Sequence, residues 1–192
     1  MDRRKALKGL GLSLGYVIAT PSVISILQSC KNDPQISWTP QFFSSNESFV
    51  LEKLIGLILP KTNDLPSALD VNIPQFIDAY VNEVSNKAEQ EKLKKGIATI
   101  SESLSKSPNN EAFKSLLTKY LKADQKDKEA FSENEDDTLV LETLTNLRTM
   151  TIWAYKTSEK VGEEILTYDP IPGDFLGCIS LEETTKGKAW SL

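Results

Sequence analysis

From Phe49 onward, apolar residues recur at intervals of three and four positions with charged residues between them, and no stretch alternates with period two, so the pattern predicts α-helices almost throughout. Asn46 is placed to cap a first helix in which Phe49, Val50, Leu54, Leu57 and Ile58 form a broad apolar face and which Pro60 ends. A loop runs on to Ile73. Pro74 then opens a second helix, where its missing N–H costs nothing, and Phe76, Ile77, Tyr80, Val81 and Val84 give that helix one apolar side. Leu93, Ile97, Ile100 and Leu104 mark a third, closed by Pro108. Phe113, Leu116, Leu117, Tyr120 and Leu121 mark a fourth, and Asp124 to Phe131 a short fifth. The strongest pattern runs from Asp137 to Tyr155 through Leu139, Val140, Leu144, Leu147, Met150 and Trp153, with acidic residues at the positive end of the helix dipole; it predicts the central helix. Ser158 can cap a last short helix ending near Leu166. After it, Pro170, Pro172, Gly173 and Gly177 predict a long extended segment. The expected fold is all-α: a single helical domain over residues 46–192, of about five to seven helices, with an irregular C-terminal tail.

The first 29 residues follow a different rule. Asp2-Arg3-Arg4-Lys5-Ala6-Leu7-Lys8 is a basic head, and Gly9 to Leu27 is almost free of charge, which is the layout of a targeting signal. Arg3-Arg4 followed by Leu7-Lys8, with Gly9, Gly11 and Gly15 diluting the apolar run, fits the twin-arginine pattern that directs folded cargo, the alternative being the basic head of an ordinary secretory signal. Leu27-Gln28-Ser29-Cys30 resembles a lipobox, in which cleavage before Cys30 leaves a cysteine that is acylated. The apolar run between Lys8 and Gln28 is marginal for a spanning helix and is interrupted by Pro21, so the mature chain is expected to be lipid-anchored on the periplasmic side of a membrane, with residues 30–45 as its tether. Loss of residues 1–29 removes Arg3, Arg4, Lys5, Lys8 and Asp2 and takes the formal charge from −5 to −8, which disfavours nucleic acid as a partner. The acidic run Glu133-Asn134-Glu135-Asp136-Asp137 reads as a solvated loop or helix start rather than a metal site.

Composition excludes several chemistries. The chain has no histidine, which removes Ser-His-Asp and Cys-His catalysis, His-ligated zinc and Cys-x-x-Cys-His haem attachment. Two cysteines cannot build a four-cysteine iron–sulfur site, and neither a dinucleotide fingerprint nor a P-loop is present. Carboxylates remain: Asp64, Asp70 and Asp78, and Glu159, Glu163 and Glu164, admit a two-carboxylate hydrolase by residue type alone, although surface acids and helix caps are the simpler reading. No cofactor is expected in this chain, which gives a reason for a folded-cargo signal only if the chain carries that signal for a partner.

Two regions carry a family resemblance. Leu57-Ile58-Leu59-Pro60-Lys61-Thr62-Asn63-Asp64-Leu65-Pro66-Ser67-Ala68-Leu69-Asp70 followed by Pro74-Gln75-Phe76-Ile77-Asp78, and later Trp153-Ala154-Tyr155-Lys156-Thr157-Ser158-Glu159 with the Tyr168 to Cys178 segment, resemble the gluconate 2-dehydrogenase subunit 3 family, with Ser67 and Ala154 standing where that family often has glycine. The resemblance implies a non-catalytic small subunit paired with a large flavin-dependent dehydrogenase of the glucose–methanol–choline type, whose electrons pass to a cytochrome c or another acceptor. It also implies that the small subunit supplies the export signal and supports folding of the large one, and that FAD belongs to the partner.

Candidate partner-binding residues lie in the tail: Tyr168, Pro172, Gly173, Phe175 and Cys178. With Cys30 acylated, Cys178 is left unpaired in an oxidising compartment, which admits either an inter-subunit disulfide or a buried or free thiol. Trp153, Tyr155 and Trp190 are further aromatic anchors by residue type, but the helical spacing of Trp153 and Tyr155 favours the core for both. The loop between Pro60 and Pro74 is either an interface loop or a rigid connector. Two rivals to an accessory subunit are an independent lipid-anchored hydrolase using acidic residues and a free-standing structural lipoprotein.

Overall fold

The computed structural model describes residues 36–104, 108–171, 173–174 and 177–191; Arg3, Arg4, Cys30, Pro172 and Phe175 lie outside them. Among the described residues the structure is helical, with no strand. Its helices are α1 (Ser45–Ile58), α2 (Ile73–Glu83), α3 (Lys87–Ser103), α4 (Asn110–Leu121), α5 (Gln125–Phe131), α6 (Glu135–Thr157), a π-helix (Lys160–Ile165) and α7 (Leu181–Thr185).

Side-chain caps set most of the helix starts. α1 is capped by Ser44 rather than Asn46, because Glu47, three residues on, closes a reciprocal capping box with it. Asn86 and Glu89 do the same for α3, while Asn109, Asp124 and Asn134 each accept backbone N–H bonds at the starts of α4, α5 and α6. The acidic run is thus a helix start, with Glu135, Asp136 and Asp137 in the first turn of α6.

The 23-residue α6 is the central element. It packs against all five preceding helices, and α1 packs against α2, α3 and α4 in turn. The core is built from Leu51, Leu54 and Ile55 of α1, Ile73, Ile77 and Val81 of α2, Ile97 and Ile100 of α3, Phe113 of α4, and Val140, Leu144 and Leu147 of α6. At the crossing of α3 and α6, Gly96 is required for contact: a Cβ there would sit 1.9 Å from Thr143 Oγ1. Without a side chain at Gly96, Thr143 is buried directly against the α3 backbone and the two helices approach closely.

Residues 38–43, at the end of the expected tether, belong to the packed domain. Trp38 Nε1 donates to Glu52 Oε2 of α1 at 2.9 Å, Phe43 is buried, and Lys94 of α3 lies over the Phe42 ring. The strongest tie is Asp78 of α2, 1% exposed, whose carboxylate accepts the backbone N–H groups of Gln41 (2.6 Å), Phe42 (3.2 Å) and Phe43 (3.0 Å). A buried carboxylate persists only with donors around it, and here the donors are three consecutive amides of the chain leading into α1.

The C-terminal region departs from expectation in two details. The short helix after Ser158 is π-type, with Leu166 N–H donating to Val161 O at 2.9 Å, and the wider turn buries Val161 and Gly162. The tail is irregular, but it contains α7, opened by a Ser180–Glu183 capping box, and folds back so that Thr167 pairs with Ala189 and Ser191 across a single bridge. No described helix is long and apolar enough to cross a membrane.

Candidate interaction surface

The apolar arc of α2 is wider than one core contact needs. Ile73, Ile77 and Val81 fill the interior, so Phe76 and Tyr80, one turn apart, are carried to the edge of the arc, and Val84 beyond them is 63% exposed. Trp153 of α6 meets them there. Its ring centroid lies 5.7 Å from that of Phe76 and 5.4 Å from that of Tyr80, and Phe76 and Tyr80 stack at 6.1 Å. These separations are in the range of attractive ring pairs, so the three side chains form one preformed cluster. It is not sealed from solvent: Phe76 is 43% and Trp153 41% exposed, and Ile152 beside it is also exposed. Partly exposed large apolar side chains gathered in one place make this the candidate surface for association.

Trp153 and Tyr155, for which helical spacing favours the core alike, separate. Tyr155 is buried, and its hydroxyl donates to Pro66 O at 2.7 Å, tying the loop after α1 to α6; burial pushes its phenol above the ordinary tyrosine range. Trp153 faces outward. Phe76 and Tyr80, read from sequence as part of one apolar side, are the candidate surface residues that pattern reasoning did not single out. The available signal is the breadth of that stripe: Phe76, Ile77, Tyr80, Val81 and Val84 span about 140° of the helix, more than one buried contact accommodates.

The tail candidates stand apart from this cluster in character. Tyr168 and Trp190 are exposed and stack on no other ring among the described residues. Gly173 has φ +68°, a left-handed conformation that suits glycine at a turn, and Cys178 is an exposed free thiol.

Of the carboxylates considered for hydrolysis, Asp70 and Asp78 have structural partners, and Asp64 is exposed. Asp70 accepts the Ser67 N–H at 2.9 Å and its own N–H donates to Ser67 Oγ at 3.1 Å, so the Ser67 hydrogen bonds hold its carboxyl below the ordinary carboxylate range. Asp78 is occupied by Gln41–Phe43. Glu159, Glu163 and Glu164 are exposed around the π-helix. Among the described residues no group of three His, Cys, Asp or Glu side chains is placed to hold a metal ion.

The domain is all-helical among its described residues, and its partly exposed rings Phe76, Tyr80 and Trp153 are gathered into one cluster. The chain belongs to the gluconate 2-dehydrogenase subunit 3 family, whose model matches residues 45–173, from the first residue of α1 to Gly173. That family places it as a subunit of a dehydrogenase complex. No curated protein and no solved structure matches it.

Proposed function

We propose that this chain is the non-catalytic accessory subunit of an exported flavin-dependent dehydrogenase of the glucose–methanol–choline type. It binds the FAD-containing catalytic subunit through the Phe76–Tyr80–Trp153 cluster. Arg3-Arg4 is the export signal for the pair, acylation of Cys30 anchors it on the periplasmic side of the membrane, and the tail around Tyr168, Gly173 and Cys178 supplements the contact. A cytochrome c is the kind of acceptor to which the partner would pass electrons.

The observation that carries this reading is the exposed ring cluster on a member of a dehydrogenase-subunit family. Aromatic side chains dominate the energy of interfaces, and a cluster that is already ordered gives up little entropy on binding. Losing one central anchor of this type costs about 2 kcal/mol or more, roughly 30-fold in affinity.

The test is co-expression of the tagged chain with a flavoprotein dehydrogenase from its own genome, with bound flavin measured by its visible absorbance. The wild-type chain is expected to retain a flavoprotein that Trp153→Ala and Phe76→Ala release. Arg3-Arg4→Lys-Lys is expected to hold both proteins in the cytoplasm. A dehydrogenase that is exported and active in the absence of this chain overturns the proposal.

A further inference from the structure

Arg148 is the only arginine beyond Arg4 in the sequence. It stands half-buried on α6, and among the described residues it has neither an ion-pair partner nor a hydrogen-bond acceptor, although its guanidinium carries five N–H donors. It lines a groove of about 340 Å³ between α1, α4 and α6, whose floor is aliphatic: Leu57 and Ile58 from α1, Leu117 and Leu121 from α4. The other charged lining groups are Lys122 and Lys114, so every charge in the groove is positive, on a chain whose net charge is negative. The neighbouring acid, Glu111, is taken up by Lys114 at 2.8 Å.

Sited where it is, a guanidinium lacking an acceptor is matched by a planar oxyanion that can receive two parallel N–H bonds. The four aliphatic side chains beside it call for an apolar group attached to that oxyanion. We propose that the groove receives a segment of a partner subunit that sets an Asp or Glu carboxylate against Arg148 and an aliphatic side chain onto Leu57, Ile58, Leu117 and Leu121. A protein segment is favoured by the groove's walls, which are the flanks of three helices, and by the family's membership in a multi-subunit assembly. Arg148 and Trp153 point about 140° apart around α6, so this is a second contact, separate from the ring cluster. The inference rests on the subunit reading.

The experiment uses the flavoprotein complex isolated as described above and measures its dissociation constant at low and moderate salt. The variants are Arg148→Gln, Arg148→Glu and Lys122→Glu, with Trp153→Ala reporting on the other surface. Arg148→Gln is expected to weaken the complex about 30-fold and to flatten its salt dependence, and Arg148→Glu to weaken it further. The free chain should melt as the wild type does, because Arg148 has no partner among the described residues. Affinities within twofold of wild type for both Arg148 variants, with Trp153→Ala still weakened, overturn the groove and leave the subunit reading intact. Failure to isolate any flavoprotein complex overturns the subunit reading and the groove's occupant together. Binding of phosphatidylglycerol vesicles by the wild-type chain but not by Arg148→Gln assigns the groove to lipid and overturns a protein occupant.

Discussion

Replacing Asp78 with Asn leaves the shape of the side chain and removes its charge, which isolates what the carboxylate does. In the native chain its two oxygens take all three N–H groups of Gln41, Phe42 and Phe43, at 2.6, 3.2 and 3.0 Å, in a site that is 1% open to water. An amide has one acceptor oxygen and turns an NH₂ donor toward the remaining N–H groups. At least one backbone N–H is then buried facing a donor, and the surviving bonds lose their charge assistance. With charge-assisted bonds worth roughly 1.5–3 kcal/mol each, and relief of the buried charge offsetting part of the loss, the net destabilisation is about 2–4 kcal/mol. A loss of 3 kcal/mol lowers the melting temperature of a protein of this size by about 6–12 °C.

The loss should also be localised. Phe43 is buried beside Phe42, their centroids 4.9 Å apart, and both depend on the same carboxylate for the position of their backbone. In Asp78→Asn, amide exchange at Gln41, Phe42 and Phe43 is therefore expected to accelerate more than exchange in α6. Urea unfolding gives the global number and hydrogen exchange with mass spectrometry the local one. A variant within 1 kcal/mol of wild type (roughly the value of one neutral hydrogen bond) that still protects these amides would refute the clamp.

Two further outcomes follow from the packing and the charges. Gly96→Ala places a Cβ 1.9 Å from Thr143 Oγ1 and 2.8 Å from Thr143 Cβ, so α3 must move off α6; a loss of about 2–3 kcal/mol in urea unfolding is expected, with Thr143→Ala recovering part of it, and additive effects of the two changes would contradict a direct clash. The Asp137 carboxyl is held below the ordinary carboxylate range, first by the hydrogen bond from the Tyr120 hydroxyl and next by Lys119, whose Nζ is 3.0 Å away. Because the folded-state value is the lower one, this stabilisation is present above the unfolded carboxyl's range near pH ~4 and is lost as pH falls through the folded value. Tyr120→Phe should flatten the acid limb of the urea midpoint plotted against pH; an unchanged limb counts against the Tyr120–Asp137 bond.

The helices were legible because each buries one face, and burying one face of a helix imposes a period that the chain displays openly. Pro74, Asn86, Asp124 and Asn134 start or cap elements for local reasons that involve only neighbouring residues. Sequence pattern fails where the deciding partner is distant. Trp153 and Tyr155 are two positions apart and therefore about 200° apart around α6, so both cannot face the same neighbour. Which one is buried depends on where the loop carrying Pro66 and the outer edge of α2 come to lie against α6. The Thr167 bridge is equally non-local, set by chain that returns from beyond Gly187. α7 is the exception: Ser180 and Glu183 stand at capping-box spacing, a local signal that could have been read.

Asp78 shows how the two kinds of information combine. It is buried on α2 about 60° past Val81, outside the apolar arc, and a buried acid demands donors from somewhere. Neither its burial nor the identity of the donors is visible in the sequence, because the donors come from 35 or more positions earlier in the chain. Once they are known, α2 acquires two roles on opposite flanks. Its inner side holds the chain arriving from the N-terminus, and its outer edge holds Phe76 and Tyr80 against Trp153. Eleven residues of helix thus hold both the incoming segment and the ring cluster. A change that frees residues 41–43 without unfolding α2 should leave the cluster able to bind, whereas a change that breaks α2 should abolish both ties at once.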